Sequence, residues 1–254
     1  MPPMQRLRKH ILITGASSGL GQGMAREYAK RGRNLALCAR RIDRLEELKR
    51  ELLAENPAIQ VFVRSLDVMQ FDQVFDVFRA FKADLGTLDR VIVNAGIGKG
   101  QPVGTGYFKA NRQTAETNFV AALAQCEAAV EIFRQEKAGH LVTISSMSAL
   151  RGMRGNVTTY AASKAALATL TEGIRIDLRR TPIKVTTIYP GYIRSEINEK
   201  VKNTPFIVDT ETGCRAMVEA IEREPNEAYV PRWPWSALGF LMKRLPLSAL
   251  ARMT

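Results

Sequence analysis

Cysteine, histidine and long apolar runs are what this chain has little of, and each shortage removes a class of function. Its three cysteines, Cys38, Cys126 and Cys214, stand far apart with no C-x-x-C spacing, and its two histidines do not cluster. A disulfide framework and a structural zinc site are therefore not expected, no other metal site is indicated, and a reducing compartment is the default. No run of about 18 apolar residues occurs, so no spanning helix is expected. Residues 1–10 are basic but lack the apolar stretch and small-residue cleavage site of a secretory signal. The expected location is cytoplasmic. Acidic residues are also in deficit, 25 against 37 lysines and arginines, for a formal net charge of +12 in 254 residues. Such an excess suits nucleic acid, a phosphate-bearing cofactor, an anionic membrane surface or acidic substrates. The basic residues are scattered, from Arg6, Arg8 and Lys9 to Lys243 and Arg244, without a long unbroken run. That favours a solvated basic surface over a nucleic-acid tail, and no nucleic-acid partner is expected.

What is present is ordinary in composition, 46% hydrophobic and 24% charged, and regular in pattern. Short apolar runs at 11–13, 34–39, 59–65, 89–93, 140–146, 185–188 and 228–230 read as buried strands. Between them lie helical patterns, with one face marked by Leu20, Met24 and Tyr28, then by Leu45, Leu48 and Leu52. Further patterns carry Val74, Phe78 and Phe81, a long stretch from Phe119 to Phe133, and Leu167, Leu170 and Ile174. Alternation of strand and helix predicts an α/β fold, one doubly wound parallel sheet with helices on both faces. Neither an internal repeat nor a linker is evident, so a single domain over 1–254 is expected, ending in an amphipathic tail at about 233–254.

Chemistry-bearing residues gather where the predicted strands end. The first strand runs into Thr14-Gly15-Ala16-Ser17-Ser18-Gly19-Leu20-Gly21, a glycine turn opening a helix. Backbone N–H groups and the helix dipole make such a turn an anion site, and absent side chains let a pyrophosphate approach. The spacing Gly-x3-Gly-x-Gly departs from the commoner G-x-G-x-x-G. In a dinucleotide fold the end of the second strand faces the adenosine ribose, where an acid binds a 2′-hydroxyl and an arginine accommodates a 2′-phosphate. Here that strand ends in Arg40 and Arg41, with no acid before Asp43, so NADP(H) is expected over NAD(H), with Arg40 the better placed. Asp67, beside Val68, is placed either to bond the adenine amino group or to cap the next helix. Asn94-Ala95-Gly96 ends the fourth run with small residues suited to close packing against a ligand. Tyr160 and Lys164 stand four apart, on one face of a predicted helix, and form a proton-transfer pair. An ammonium against a phenol favours the phenolate and should lower the tyrosine's titration.

In order and spacing these residues resemble the short-chain dehydrogenases/reductases, over roughly residues 9–195. The resemblance rests on Thr14-Gly15-x3-Gly19-x-Gly21, Asn94-Ala95-Gly96, Asn118, Ser146, Tyr160-x3-Lys164 and Pro190-Gly191. It implies a Rossmann-type fold and hydride transfer between a nicotinamide and a carbonyl or alcohol. Tyr160 is then the general acid or base, Ser146 orients the substrate oxygen, Lys164 shifts Tyr160 and bonds the nicotinamide ribose, and Asn118 holds a water linking Lys164 to solvent. Cofactor contacts fall to Gly15, Ser17, Ser18, Gly19, Leu20, Gly21, Arg40, Arg41, Asp67, Val68, Asn94, Ala95, Gly96, Tyr160, Lys164, Pro190 and Gly191. Ser195 takes the family's threonine position near the nicotinamide carboxamide, with Ile193 beside it. One departure stands out: the family usually places its serine one residue nearer the tyrosine, which here is Met147. An extra residue in the 151–159 loop is inferred, with Ser145 and Ser148 as competitors for the role of Ser146.

Residues 192–205 read as a mobile segment over the site. In the tail, Trp233, Trp235, Phe240, Leu241, Lys243, Arg244 and Leu247 suggest a short amphipathic helix broken near Pro246. It is expected to pack on its own fold or a partner subunit, or to make peripheral membrane contact. The expected function is an NADP(H)-dependent oxidoreductase for an apolar ketone, aldehyde or secondary alcohol, with homodimers or homotetramers implied by the resemblance. The alternative is a catalytically silent NADP(H)-sensing protein on the same fold.

Overall fold

A computed structural model describes residues 7–196 and 204–253. Seven strands form one parallel sheet: β1 (His10–Thr14), β2 (Asn34–Ala39), β3 (Val61–Ser65), β4 (Arg90–Val93), β5 (Gly139–Ile144), β6 (Ile183–Pro190) and β7 (Glu227–Val230), in the order β3-β2-β1-β4-β5-β6-β7. Strand order reverses between β1 and β4, which opens a crevice at their carboxyl ends. The helices are α1 (Gly19–Lys30), α2 (Ile42–Glu55), α3 (Phe71–Leu85), α4 (Phe108–Ala115), α5 (Ala121–Glu136), α6 (Thr158–Leu178), α7 (Thr210–Glu222), α8 (Arg232–Met242) and α9 (Leu247–Met253).

The period of two along each strand divides the core between the sheet's faces. Ile11 and Ile13 of β1 join Leu35 and Leu37 of β2 against α1, α2 and α7, through Met24, Tyr28, Leu48 and Met217. Leu12 and Ala36 point the other way, into Phe78, Phe81 and Phe133 of α3 and α5 and Leu167 of α6. A sheet covered on both faces needs strands apolar on both, which is why they read as unbroken runs. Cys38, Cys126 and Cys214 are free and buried. Among the described residues no helix is long and apolar enough to cross a membrane.

At the amino ends of the strands, away from the crevice, lies a buried charged cluster. Arg90 donates through Nε to His140 Nδ1 at 2.9 Å and through Nη1 to Glu222 Oε1 at 2.6 Å. Arg8 pairs with Glu224 at 2.7 Å. Burial, with Arg90 and Arg8 nearby, holds His140 well below the ordinary imidazole range, so it is neutral.

The tail packs back on the fold. Trp235, Met242 and Leu250 are buried, and Arg151 donates to the carbonyls of Met242 and Leu245 at 2.9 and 3.0 Å, satisfying acceptors at the end of α8. α9 starts directly after Pro246. Trp233, Phe240, Leu241 and Leu247 remain exposed, with the Arg244 guanidinium 3.7 Å from the Phe240 ring centre.

Candidate active site

The glycine loop is held open by a hydroxyl and an amide. Thr14 Oγ1 accepts from the backbone N–H groups of Asn94 and Ala95 at 3.0 and 3.1 Å, and Asn94 Nδ2 donates to the Thr14 carbonyl at 2.9 Å. These bonds join the ends of β1 and β4 across the crevice. Gly15 and Gly19 have φ of +66° and +54°, a region that favours glycine. Gly21 answers a steric demand instead: a Cβ there would stand 2.4 Å from the Gly15 carbonyl oxygen and 2.7 Å from Asn94 Nδ2. Ser18 is the N-cap of α1 without capping through its side chain, and no acid occupies the first turn. The helix therefore presents uncapped N–H groups beside Ser17 and Ser18, a cradle whose chemistry fits the phosphates of a dinucleotide.

Arg41, not Arg40, turns to that cradle. Its Nε donates to Ser17 Oγ at 3.3 Å and its Nη2 to Ser18 Oγ at 2.7 Å, whereas Arg40 is exposed at the strand's end. The junction between β2 and α2 points these consecutive side chains in different directions, Arg41 toward the serines and Arg40 to solvent. Arg44, three residues on in the first turn of α2, donates to Glu196 Oε1 at 2.9 Å, and Arg41 Nη2 reaches Glu196 Oε2 at 3.2 Å. These partners, with Ser18, hold the Glu196 carboxyl down at about 2. Asp67 does not cap α3, whose N-cap is Gln70. Its carboxylate accepts from Met69 N at 3.1 Å in a tight turn, with Val68 buried next to it.

Across the crevice, α6 presents Tyr160 and Lys164. Ser146 accepts from Ser148 Oγ at 2.8 Å and from Ser148 N at 3.2 Å, and its hydroxyl is near enough to the Tyr160 phenol to favour the phenolate. Of the three serines, Ser145 is buried and donates to the Lys164 carbonyl at 2.9 Å, while Ser148 backs Ser146. Ser146 is the one set against the tyrosine. Burial pushes the Tyr160 phenol up, partly offset by the nearby Ser146 hydroxyl. The expected lowering by Lys164 is therefore not the balance here. The ammonium donates to the Ile144 carbonyl at 2.8 Å instead, and burial brings it down from 10.5 to about 8.

Asn118 lies in a π-helical turn, Glu116–Val120, between α4 and α5. Such wide turns often mark functional sites. Its Oδ1 accepts from Ile97 N at 2.8 Å, and its Nδ2 donates to the Ile97 carbonyl at 2.9 Å and to Ser163 Oγ at 3.2 Å. The side chain thus ties the segment after β4 to α6. A Cβ on Gly96 would meet Asn118 Oδ1 at 3.1 Å and Lys164 Nζ at 3.3 Å, so glycine keeps this floor low.

Pro190 ends β6, and Gly191 packs under Trp235, whose Cε2 would lie 2.1 Å from a Cβ there. Ile193 is buried and bridges to Val208, and Ser195 lies over the glycine loop, 3.4 Å from a Cβ built on Gly19. Of the segment expected to cover the site, 197–203 lies outside the described residues. Beside Ser146, Met147, Tyr189 and Trp235 form a small apolar cluster with Leu150 and Tyr192. Sequence reasoning gave Thr14 its place in the motif but not its bonds to Asn94 and Ala95, and missed Arg44, Ser163 and Glu196. Arg44 had a signal, its helical spacing from Arg41; the others act through contacts distant in sequence.

Comparison with known proteins gives the family. The family model described as short chain dehydrogenase matches residues 9–205. An uncharacterised oxidoreductase of Mycobacterium tuberculosis is 53% identical over 239 residues, covering 94% of each chain. The 11-beta-hydroxysteroid dehydrogenase 1A of Arabidopsis thaliana is 33% identical, covering 93% of this chain and 72% of its own. Among solved structures, a short-chain type dehydrogenase/reductase from Mycobacterium marinum superposes with a TM-score of 0.78 at 26% identity, covering 86% of this chain and 92% of the other. Sheet order, glycine cradle and matched residues together make this chain an oxidoreductase of the short-chain dehydrogenase/reductase family.

Proposed function

We propose that the chain catalyses NADP(H)-dependent interconversion of an apolar ketone or aldehyde with its alcohol. The observation that carries this reading is the placement of Ser146, at the carboxyl end of β5, and of Tyr160 and Lys164, on α6, with the Lys164 ammonium bonded to the Ile144 carbonyl at the end of β5 and an apolar cluster of Met147, Tyr189 and Trp235 next to them. A bound nicotinamide supplies or accepts the hydride. Tyr160 delivers its phenolic proton to the carbonyl oxygen, or takes it back in the alcohol direction. Ser146, with Ser148 behind it, donates to the same oxygen and fixes its position. The Lys164 ammonium bonds the cofactor's ribose and supports the charge that forms on Tyr160. Asn118 keeps the floor at Gly96 and Ile97 in place.

Arg41 and Arg44 beside Ser17 and Ser18 support the preference for a 2′-phosphate. The loop of Gly15, Gly19, Leu20 and Gly21, with Asn94, Ala95, Pro190, Gly191, Ile193 and Ser195, lines the remaining path of the cofactor, and Asp67 and Val68 flank the adenine. In this reading 1–254 acts as one cytoplasmic unit that pairs with copies of itself through α5 and α6. The tail covers the substrate side and touches anionic membrane through Trp233, Phe240, Leu241 and Leu247, beside Arg232, Lys243 and Arg244. That contact would bring a lipophilic substrate close.

The test follows cofactor absorbance with a graded panel of ketones, aldehydes and secondary alcohols, using NADPH and NADH or their oxidised forms. Turnover that prefers the phosphorylated cofactor and falls at least about a thousandfold in Tyr160→Phe is the expected result. Tight NADPH binding without turnover of any panel member would instead favour the silent, cofactor-sensing alternative.

A further inference from the structure

The segment leaving β6 is fastened before it reaches the cofactor cradle. Arg194 N donates to the Val208 carbonyl at 2.9 Å, and Thr210 Oγ1 donates to the Arg194 carbonyl at 2.7 Å. Ile193 is buried against Gly213, where a Cβ would meet its Cγ2 at 2.4 Å. From this anchor Ser195 extends over Gly19, and Glu196 places its carboxylate among Arg41, Arg44 and Ser18. One anion belonging to the chain thus occupies both guanidinium groups that an incoming phosphate ester needs, beside a Ser18 hydroxyl that accepts from Arg41.

We propose that Glu196 is an internal competitor for the 2′-phosphate of NADP(H), displaced from Arg41 and Arg44 when the cofactor binds and retaking them as it leaves. The inference rests on the NADP(H) reading given above. A carboxylate brings one negative charge and two acceptor oxygens; a phosphate ester brings nearly two charges and three oxygens, so it is the stronger partner for two arginines. A 2′-hydroxyl makes no such demand and leaves Glu196 where it is. The exchange makes and breaks only ion pairs. Their side chains are 41–52% exposed, so solvent screens the contest and its effect is modest. Glu196 therefore lowers affinity for NADP(H) selectively and hastens its release.

Binding measurements decide the matter without turnover. Calorimetric titration of the full chain and of Glu196→Gln would use NADP+, NAD+, adenosine 2′,5′-bisphosphate and 5′-AMP. The variant should bind NADP+ and the bisphosphate about fivefold tighter, the strength expected of two screened pairs, with NAD+ and 5′-AMP unchanged. Glu196→Ala should repeat the result, and stopped-flow displacement should show slower NADP+ release in both. Unchanged or weaker NADP+ binding by these variants, in a wild-type chain that prefers NADP+, overturns the competitor role alone. A wild-type chain that does not distinguish NADP+ from NAD+ sinks the NADP(H) reading itself, and the inference with it.

Discussion

Replacing Lys164 with methionine should make the protein more stable and inactive at once. The Lys164 ammonium is 5% exposed, and burial lowers its titration from 10.5 to about 8. Between these values the unfolded chain keeps a proton that the folded chain has released. Unfolding then takes up protons, so wild-type stability rises with pH across that window. Below about 8 both states are protonated and the folded state bears the whole desolvation cost, about 3 kcal/mol for this gap. Methionine has a similar reach and no charge, but it leaves the Ile144 carbonyl without its 2.8 Å donor, a loss of about 1 kcal/mol. The net gain for Lys164→Met near pH 7 is about 2 kcal/mol, or roughly 4–8 °C in Tm. Near pH 10.5 the advantage should disappear. Urea unfolding of both proteins at pH 7, 8.5 and 10, followed by tryptophan fluorescence, measures the difference, in which the titration of other groups cancels. Parallel stabilities at all three pH values would refute the claim that the ammonium is desolvated. The confirming result would mean that the site holds a charge at the expense of the fold.

Gly21→Ala should cost about 1–3 kcal/mol and weaken cofactor binding at least about tenfold, because its Cβ would meet the Gly15 backbone, which cannot rotate aside; wild-type affinity in titration would contradict this. For the tail, Phe240→Ser combined with Leu247→Ser should reduce co-flotation with anionic vesicles about tenfold, through the apolar area removed. Wild-type binding should weaken with added salt. Absence of wild-type flotation at low salt would remove the membrane contact.

The parallel sheet was legible because burial on both faces writes strands as continuous apolar runs. β2 spans 34–39 as read, while β5 and β6 differ at their ends. There, residues such as Gly139, Lys184 and Pro190 pair through the backbone while contributing nothing to an apolar pattern. The π turn at Asn118 was invisible to a search for helical periodicity, since one widened turn leaves the flanking spacing nearly intact. At the site, the four-residue interval gave the helical placement of Tyr160 and Lys164. What lies beside each is a matter of packing: three nearby serines have different partners, and Arg41 and Arg40 diverge. The direction of the Tyr160 shift depends on burial and on where the Lys164 ammonium points, neither of which is a property of spacing.

The neutral state of His140 gives the charged cluster a polarity. Arg90 Nε–H is directed at Nδ1, so the ring's hydrogen resides on Nε2 and is donated to Thr186 Oγ1 at 2.8 Å. The Thr186 hydroxyl hydrogen goes on to the Pro225 carbonyl. Every donor faces the same way, from β4 across β5 and β6 to the turn after α7. Arg90 is paired with His140 in the sheet, and His140 with Lys184, two residues before Thr186 on the same face. A slip of β5 by one residue would turn the imidazole to the opposite face and leave the buried Arg90 Nε–H without its acceptor. The valines, leucines and isoleucines above it can exchange neighbours at little cost; this row of donors fits one alignment of the three strands, and so sets where the residues at their far ends meet.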